Sequence, residues 1–149
     1  MTTPLPQQLV LTSRRLLVAI AAVSFLGILD TSYLVAKHFI GGPVKCVLVQ
    51  GCDTVTSSVY SSILGVPVAL LGLIYYLVFF FIAFWAIDRE SSQIKKLLLF
   101  LAIIGVLFSS WFLYVQAFIL SAYCTYCLVS ALTSILNLIF SGSLLVNKN

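Results

Sequence analysis

The chain has 149 residues, of which 8% are charged and 62% hydrophobic, and its mean hydropathy is +1.17. A soluble domain carries roughly 25% charged residues, so this composition excludes an ordinary soluble enzyme and describes an integral membrane protein of single-domain size. The net charge of +4 comes from scattered basic residues and leaves no nucleic-acid footprint.

About 20 apolar residues cross a bilayer as a helix, and four such spans are predicted. The first runs from about Leu16 to His38 and contains Asp30. The paired Arg14 and Arg15 before it give a faint twin-arginine look, but no small-x-small cleavage site precedes the polar "LDTSY". The second span runs from about Pro67 to Ile87. From Leu97 to Asn147 no charged residue occurs, too long a stretch for one span. A polar break near Ser121 to Tyr126 divides it into spans of about 97–120 and 124–145. The expected fold is an all-α membrane protein, a four-transmembrane-helix bundle forming one membrane domain over residues 1–149. Arg14, Arg15, Arg89, Lys95, Lys96 and Lys148 fall on one side, Lys37 and Lys45 on the other. The positive-inside bias therefore predicts cytoplasmic termini. The 39–66 loop and the turn near 121–124 then face the periplasmic or lumenal side.

All four cysteines belong to that second side. Cys46 and Cys52 lie in the 39–66 loop, and Cys124 and Cys127 form a CxxC at the start of the fourth span. On an oxidising face two pairs read as disulfide chemistry, with three pairings possible. Two inert structural disulfides, or a four-cysteine metal site, are the alternatives. The metal site fits poorly, because "CVLVQGC" has five intervening residues where zinc sites place two to four. A short CxxC loop is more often reactive than structural. Cys124 sits where the unpaired N–H groups of a helix start favour a thiolate. Cys127 lies one turn on, roughly 4.5 Å deeper. One sulfur can meet a partner from the aqueous side while the other faces the bilayer. That geometry suits transfer of an electron pair to a lipid-soluble carrier, and the two-electron carrier of lipid is a quinone.

After Cys52 the sequence "DTVTSSVYSSIL" predicts an amphipathic helix over about 54–64, with Val55, Val59 and Ile63 on one face. Asp53 or Thr54 would cap it, Gly65 would end it, and Pro67 would open the next span. At roughly 16 Å it is too short to cross, so it is an interfacial or re-entrant helix between spans 1 and 2 that holds Cys52 near Cys124. Among the polar residues of the spans, Asp30 is a candidate for a proton-relay or site-lining role. Gln116 and Asn137 are placed to bond a quinone carbonyl or another helix. Trp111, with Phe112 and Tyr114, is a candidate for the wall of a quinone pocket. His38 reads as interfacial, as do Tyr123 and Tyr126.

Taken together, "CVLVQGC", "GCDTVTSSVYSSILGVPVALLG", the "YCTYC" at the fourth span and the four-span layout resemble the vitamin K epoxide reductase family, in its bacterial and plastid form. The resemblance covers roughly residues 20–146. It implies a bundle around a quinone such as ubiquinone, menaquinone, plastoquinone or phylloquinone. It further implies Cys124 and Cys127 as the active-site pair, Cys127 next to the quinone, and Cys46 and Cys52 as a loop pair. Ser57 or Ser58 matches a serine typical of the family. In the implied relay a thioredoxin-like protein reduces a Cys46–Cys52 disulfide, Cys52 exchanges with Cys124, and Cys127 passes the electrons on, so that disulfides form in exported proteins. Many bacterial members carry the thioredoxin-like domain fused after a fifth span; for this chain the expectation is a separate partner, or a sequence that is one part of a larger protein. The animal enzymes have a tyrosine one turn after the CxxC and an asparagine early in the second span. Here Ala131 and an aliphatic stretch near Val68 stand instead, which favours plain quinone reduction over epoxide reduction. A second quinone-linked disulfide-generating family also has four spans, but its CxxC comes first.

Overall fold

A computed structural model describes residues 5–46, 51–89 and 91–146, with side chains from residue 10 onward. Lys148, counted in the charge bias, and residues 47–50 of the cysteine loop lie outside the described residues. Among the described residues, five α-helices follow in chain order: α1 (Leu5–Ile40), α2 (Cys52–Ser57), α3 (Val68–Asp88), α4 (Ser92–Tyr114) and α5 (Thr125–Val146). Four of them contain stretches long and apolar enough to cross a membrane, Val10–Ile40, Val68–Asp88, Ser92–Leu120 and Thr125–Val146. The protein is an integral membrane four-helix bundle. Each stretch overlaps its predicted span, and α1 begins well before Leu16.

α1 packs on α3 and α5, α5 packs on α4, and α3 and α4 touch least. The bundle is therefore closed along three seams and looser along the fourth. One core gathers Leu17 and Ile20 of α1, Phe79 and Ala83 of α3, Leu98 of α4 and Leu144 of α5. Small residues bring membrane helices close, because packing rather than water exclusion drives their association. Gly27 shows the limit: a Cβ there would stand 2.6 Å from the Tyr76 ring. Buried polar groups tie helices together as well, and Asn137 Nδ2 donates to Ser24 Oγ at 3.2 Å across α5 and α1.

The segment after Cys52 departs from the predicted 54–64 helix. α2 starts two residues earlier and stops at Ser57, and a 3-10 turn follows over Val59–Ser61. A two-residue hairpin then pairs β1 (Ser62–Ile63) with β2 (Val66–Pro67). Short hydroxyl side chains explain the break. Thr56 Oγ1 donates to the Cys52 carbonyl at 2.8 Å, Ser57 Oγ to Asp53 at 2.6 Å and Ser58 Oγ to Val55 at 2.8 Å. Such bonds offer the backbone an alternative to helix. Gly51, not Asp53 or Thr54, occupies the N-cap position. Gly65 lies in the hairpin turn, and Pro67 precedes α3. Val55 is buried but Val59 is 83% exposed, so the apolar face extends only one turn.

Candidate functional site

The site is built where the cysteine loop folds down onto the turn between α4 and α5. The chain reverses after α1 at Gly41, whose N–H bonds the Lys37 carbonyl at 3.0 Å. Cys46 and Cys52 form a disulfide with their Cα atoms 5.6 Å apart. The Cys52 N–H also donates to Cys46 Sγ at 3.1 Å. Cys52 is buried at the first position of α2. It shares an apolar cluster with Leu34, Val44, Val55 and Cys124, against which Cys127 and Phe112 pack. Gly51 allows this approach. A Cβ there would lie 2.8 Å from the Tyr123 carbonyl oxygen and 3.2 Å from the Ala122 Cβ.

α4 does not simply end before the CxxC. It continues into a π-helix over Val115–Leu120, a form that concentrates at functional sites. Ser121 then adopts a left-handed conformation (φ 48°). The Gln116 carbonyl accepts the Ala122 N–H at 3.1 Å, and the Gln116 side-chain oxygen accepts the Cys124 N–H at 2.9 Å. α5 starts when the Cys124 carbonyl accepts the Leu128 N–H at 3.0 Å. The turn is thus tied at two points to one residue of the π-helical segment.

Cys124 and Cys127 are free thiols, the first buried and the second half-buried. A hydrogen bond from the Cys127 side chain lowers the Cys124 pKa to about 7, helped by the backbone N–H groups of Cys127 and Tyr126 and opposed by burial. Thiolate is the reactive form of cysteine, so the sulfur that shares a cluster with Cys52 is prepared for exchange. Asp30 lies on α1 within electrostatic reach of both thiols. Its Oδ2 is buried without a hydrogen-bond partner.

Beside Cys127 opens a cavity of about 740 Å³, within the range of small-molecule sites. Ser57, Ser58, Gln116 and Cys127 are among its lining residues, and Asp30 and Trp111 are not. Trp111 is 59% exposed and stacks on Tyr114, so the two face outward, while the neighbouring Phe112 lines the cavity. His38 lines its mouth, together with Lys37 and Asp53.

Further along the cavity lies a group that sequence reasoning missed. The Tyr76 hydroxyl is 2.7 Å from the Ser130 carbonyl and Thr133 Oγ1, and 3.0 Å from the Ser130 and Ser134 hydroxyls. Ser130 and Ser134 stand one and two turns beyond Cys127 on α5, a spacing visible in the sequence. Nothing in the sequence pairs them with Tyr76. The lining combines apolar walls with the Cys127 thiol, serine hydroxyls and the Gln116 amide, a set whose chemistry is compatible with a quinone. Among the described residues, no group of three or more His, Cys, Asp or Glu side chains is arranged to hold a metal ion.

A comparison with curated proteins finds no match. A comparison with protein families matches residues 18–141, most of the chain and all four cysteines, to the Vitamin K epoxide reductase family. On that match, and on the helix and cysteine arrangement that accompanies it, the chain belongs to the vitamin K epoxide reductase family.

Proposed function

We propose that the protein is a membrane thiol:quinone oxidoreductase that drives disulfide formation in exported proteins. The observation that carries this reading is a chain of sulfurs. An oxidised loop pair abuts the buried Cys124 of a reduced CxxC, and the second thiol of that CxxC lines a large apolar cavity. Reduced thiols of a separate thioredoxin-like protein attack the loop disulfide at Cys46, the less buried of its two sulfurs. The partner leaves oxidised and the loop pair reduced. Once the CxxC has been oxidised to its disulfide, Cys52 attacks Cys124 and releases Cys127, and Cys46 then attacks Cys52; the loop disulfide re-forms and the electron pair comes to rest as the two thiols of the CxxC. A membrane quinone supplies the two-electron acceptor. As the Cys124–Cys127 bond forms and two S–H bonds break, two electrons and two protons leave the cysteines and quinol results. Leu34, Val44 and Val55 keep water from Cys52 and Cys124. Ser57, Ser58 and Gln116 are the quinone-contacting candidates that the cavity lining supports. In this reading the termini are cytoplasmic and the cysteines face the periplasm or lumen.

Purified protein in lipid nanodiscs, supplied with dithiothreitol and a short-chain ubiquinone, tests the reading. Quinol should form, and replacing Cys124 or Cys127 by Ala should abolish it. Replacing Cys46 or Cys52 should abolish only the turnover driven by a reduced thioredoxin-like protein. Failure of the unmodified protein to reduce any quinone would leave a non-enzymatic membrane protein with a structural loop disulfide as the better account.

A further inference from the structure

The side-chain amide of Gln116 has its oxygen committed and its nitrogen unused. The Cys124 backbone N–H is a donor, so only the oxygen of Gln116 can face it, at 2.9 Å. That fixes the orientation of the amide and turns Nε2 away from Cys124. Gln116 is fully buried (0% exposed), and Nε2 has no hydrogen-bond partner. A buried amide donor left unpaired is costly, and native structures avoid it. Gln116 lines the same cavity as Cys127. Nε2 has no open surface in this structure, so an acceptor in the cavity reaches its N–H bonds once the wall beside Gln116 shifts.

We propose that Gln116 is a substrate-contacting residue with a double role: its Nε2 donates to a carbonyl oxygen of the quinone while its Oε1 holds the backbone of Cys124. This rests on the oxidoreductase reading above and deepens it. The two roles meet in the reduction step. Cys124 and Cys127 lose two electrons and two protons as their S–S bond forms. The quinone gains both, and its carbonyl oxygens become hydroxyls. Negative charge grows on a carbonyl oxygen during that step, and a donor held beside it is stronger there than in the ground state. The π-helical turn serves the same end. It sets Val115 and Gln116 side by side in the interior, while Tyr114 and Phe118 remain exposed. Because one amide touches both reactants, a quinone of the wrong size would disturb the residue that positions the attacking sulfur.

The test compares full-length protein in nanodiscs with its Gln116→Leu and Gln116→Glu variants, using dithiothreitol and a short-chain ubiquinone. Three readouts are taken: kcat and KM for the quinone, the pH profile of Cys124 alkylation without quinone, and thermal unfolding. In Gln116→Leu both bonds are lost. KM should rise roughly two- to tenfold, the worth of one neutral hydrogen bond, kcat should fall, and the alkylation profile should change. Gln116→Glu keeps an oxygen for the Cys124 N–H but donates to a carbonyl only while its carboxyl is protonated. Its quinone KM should therefore rise with pH, where that of the unmodified protein stays flat. An unchanged quinone KM in both variants, with only alkylation or unfolding altered, would reduce Gln116 to a structural residue and overturn the proposal. Quinone reduction by the unmodified protein in the same assay separates that result from a failure of the oxidoreductase reading. Absence of any reduction would overturn both.

Discussion

Gly51→Ala probes the contact on which exchange between the two cysteine pairs depends in the proposed relay. The new Cβ would stand 2.8 Å from the Tyr123 carbonyl oxygen and 3.0 Å from the Tyr123 nitrogen. Comfortable contacts of this kind lie near about 3.5 Å, so the loop must retreat by roughly half an ångström or more. Both obstructing atoms are backbone and cannot rotate away, which puts the change among overpacking substitutions that cost about 1–3 kcal/mol. Retreat of the loop removes that strain but draws Cys52, the next residue, off Cys124. The population of the exchange-competent arrangement should fall by roughly 5- to 140-fold, at about 1.4 kcal/mol per factor of ten. The assay is the appearance of a Cys52–Cys124 disulfide in Cys127→Ala protein with and without Gly51→Ala, read by mass spectrometry after acid quench. Quinone reduction by dithiothreitol acting directly on the CxxC should change little. An equal rate of Cys52–Cys124 formation in both proteins would show that the Gly51–Tyr123 contact does not govern the approach.

Cys127→Ala alone should accumulate the Cys52–Cys124 bond with Cys46 released as a thiol; a Cys46–Cys124 bond, seen by peptide mapping, would reverse the roles assigned to the loop cysteines. The hydrogen bond from Cys127 holds the Cys124 pKa near 7, so exchange should rise with pH through about 7 and then level off. Without Cys127 the midpoint should move up toward the ordinary thiol value of about 8.5, cutting reactivity at neutral pH by roughly tenfold in an iodoacetamide rate profile. Tyr76→Phe removes a hydroxyl that four oxygen atoms approach, while Thr133 still donates to the Ser130 carbonyl at 2.8 Å. Because that carbonyl keeps a partner, the loss should be about 1–2 kcal/mol, measured by thermal unfolding in detergent.

Much of the frame is legible because lipid imposes it. Four apolar lengths separated by charge or turn residues need no tertiary information, and the same topology gathers Cys46, Cys52, Cys124 and Cys127 at one end. Features that depend on which side chain meets which were not legible. Trp111 is aromatic and lies in a span, yet its face of α4 is turned to lipid. Tyr76 looks like one more aromatic residue of α3, and only the fold brings it to the hydroxyls of α5. The segment after Cys52 has helical spacing of Val55, Val59 and Ile63, but its serines and threonines bond backwards to the chain and break the helix after one and a half turns. Gln116 was visible as a polar residue in a span; its bond to the Cys124 N–H depends on a π-helical register that no periodicity announces.

The position of the site follows from how the bundle closes. Three of its four helix seams are tightly packed, and α3 and α4 meet least. A cavity in that fourth seam has the thiol of Cys127 and the hydroxyls of Ser130 and Ser134 along its α5 wall. Cys124, three residues before Cys127, lies outside the cavity lining, inside the cluster that holds Cys52. The two sulfurs of one CxxC thus serve two compartments: a dry protein pocket for exchange with another sulfur, and an apolar chamber suited to a lipid-soluble molecule. One turn of helix separates them, short enough for a disulfide to join them and long enough for each to have its own neighbours. In the proposed reaction thiol exchange and quinone reduction occupy different spaces, and the electron pair crosses between them when the Cys124–Cys127 bond forms.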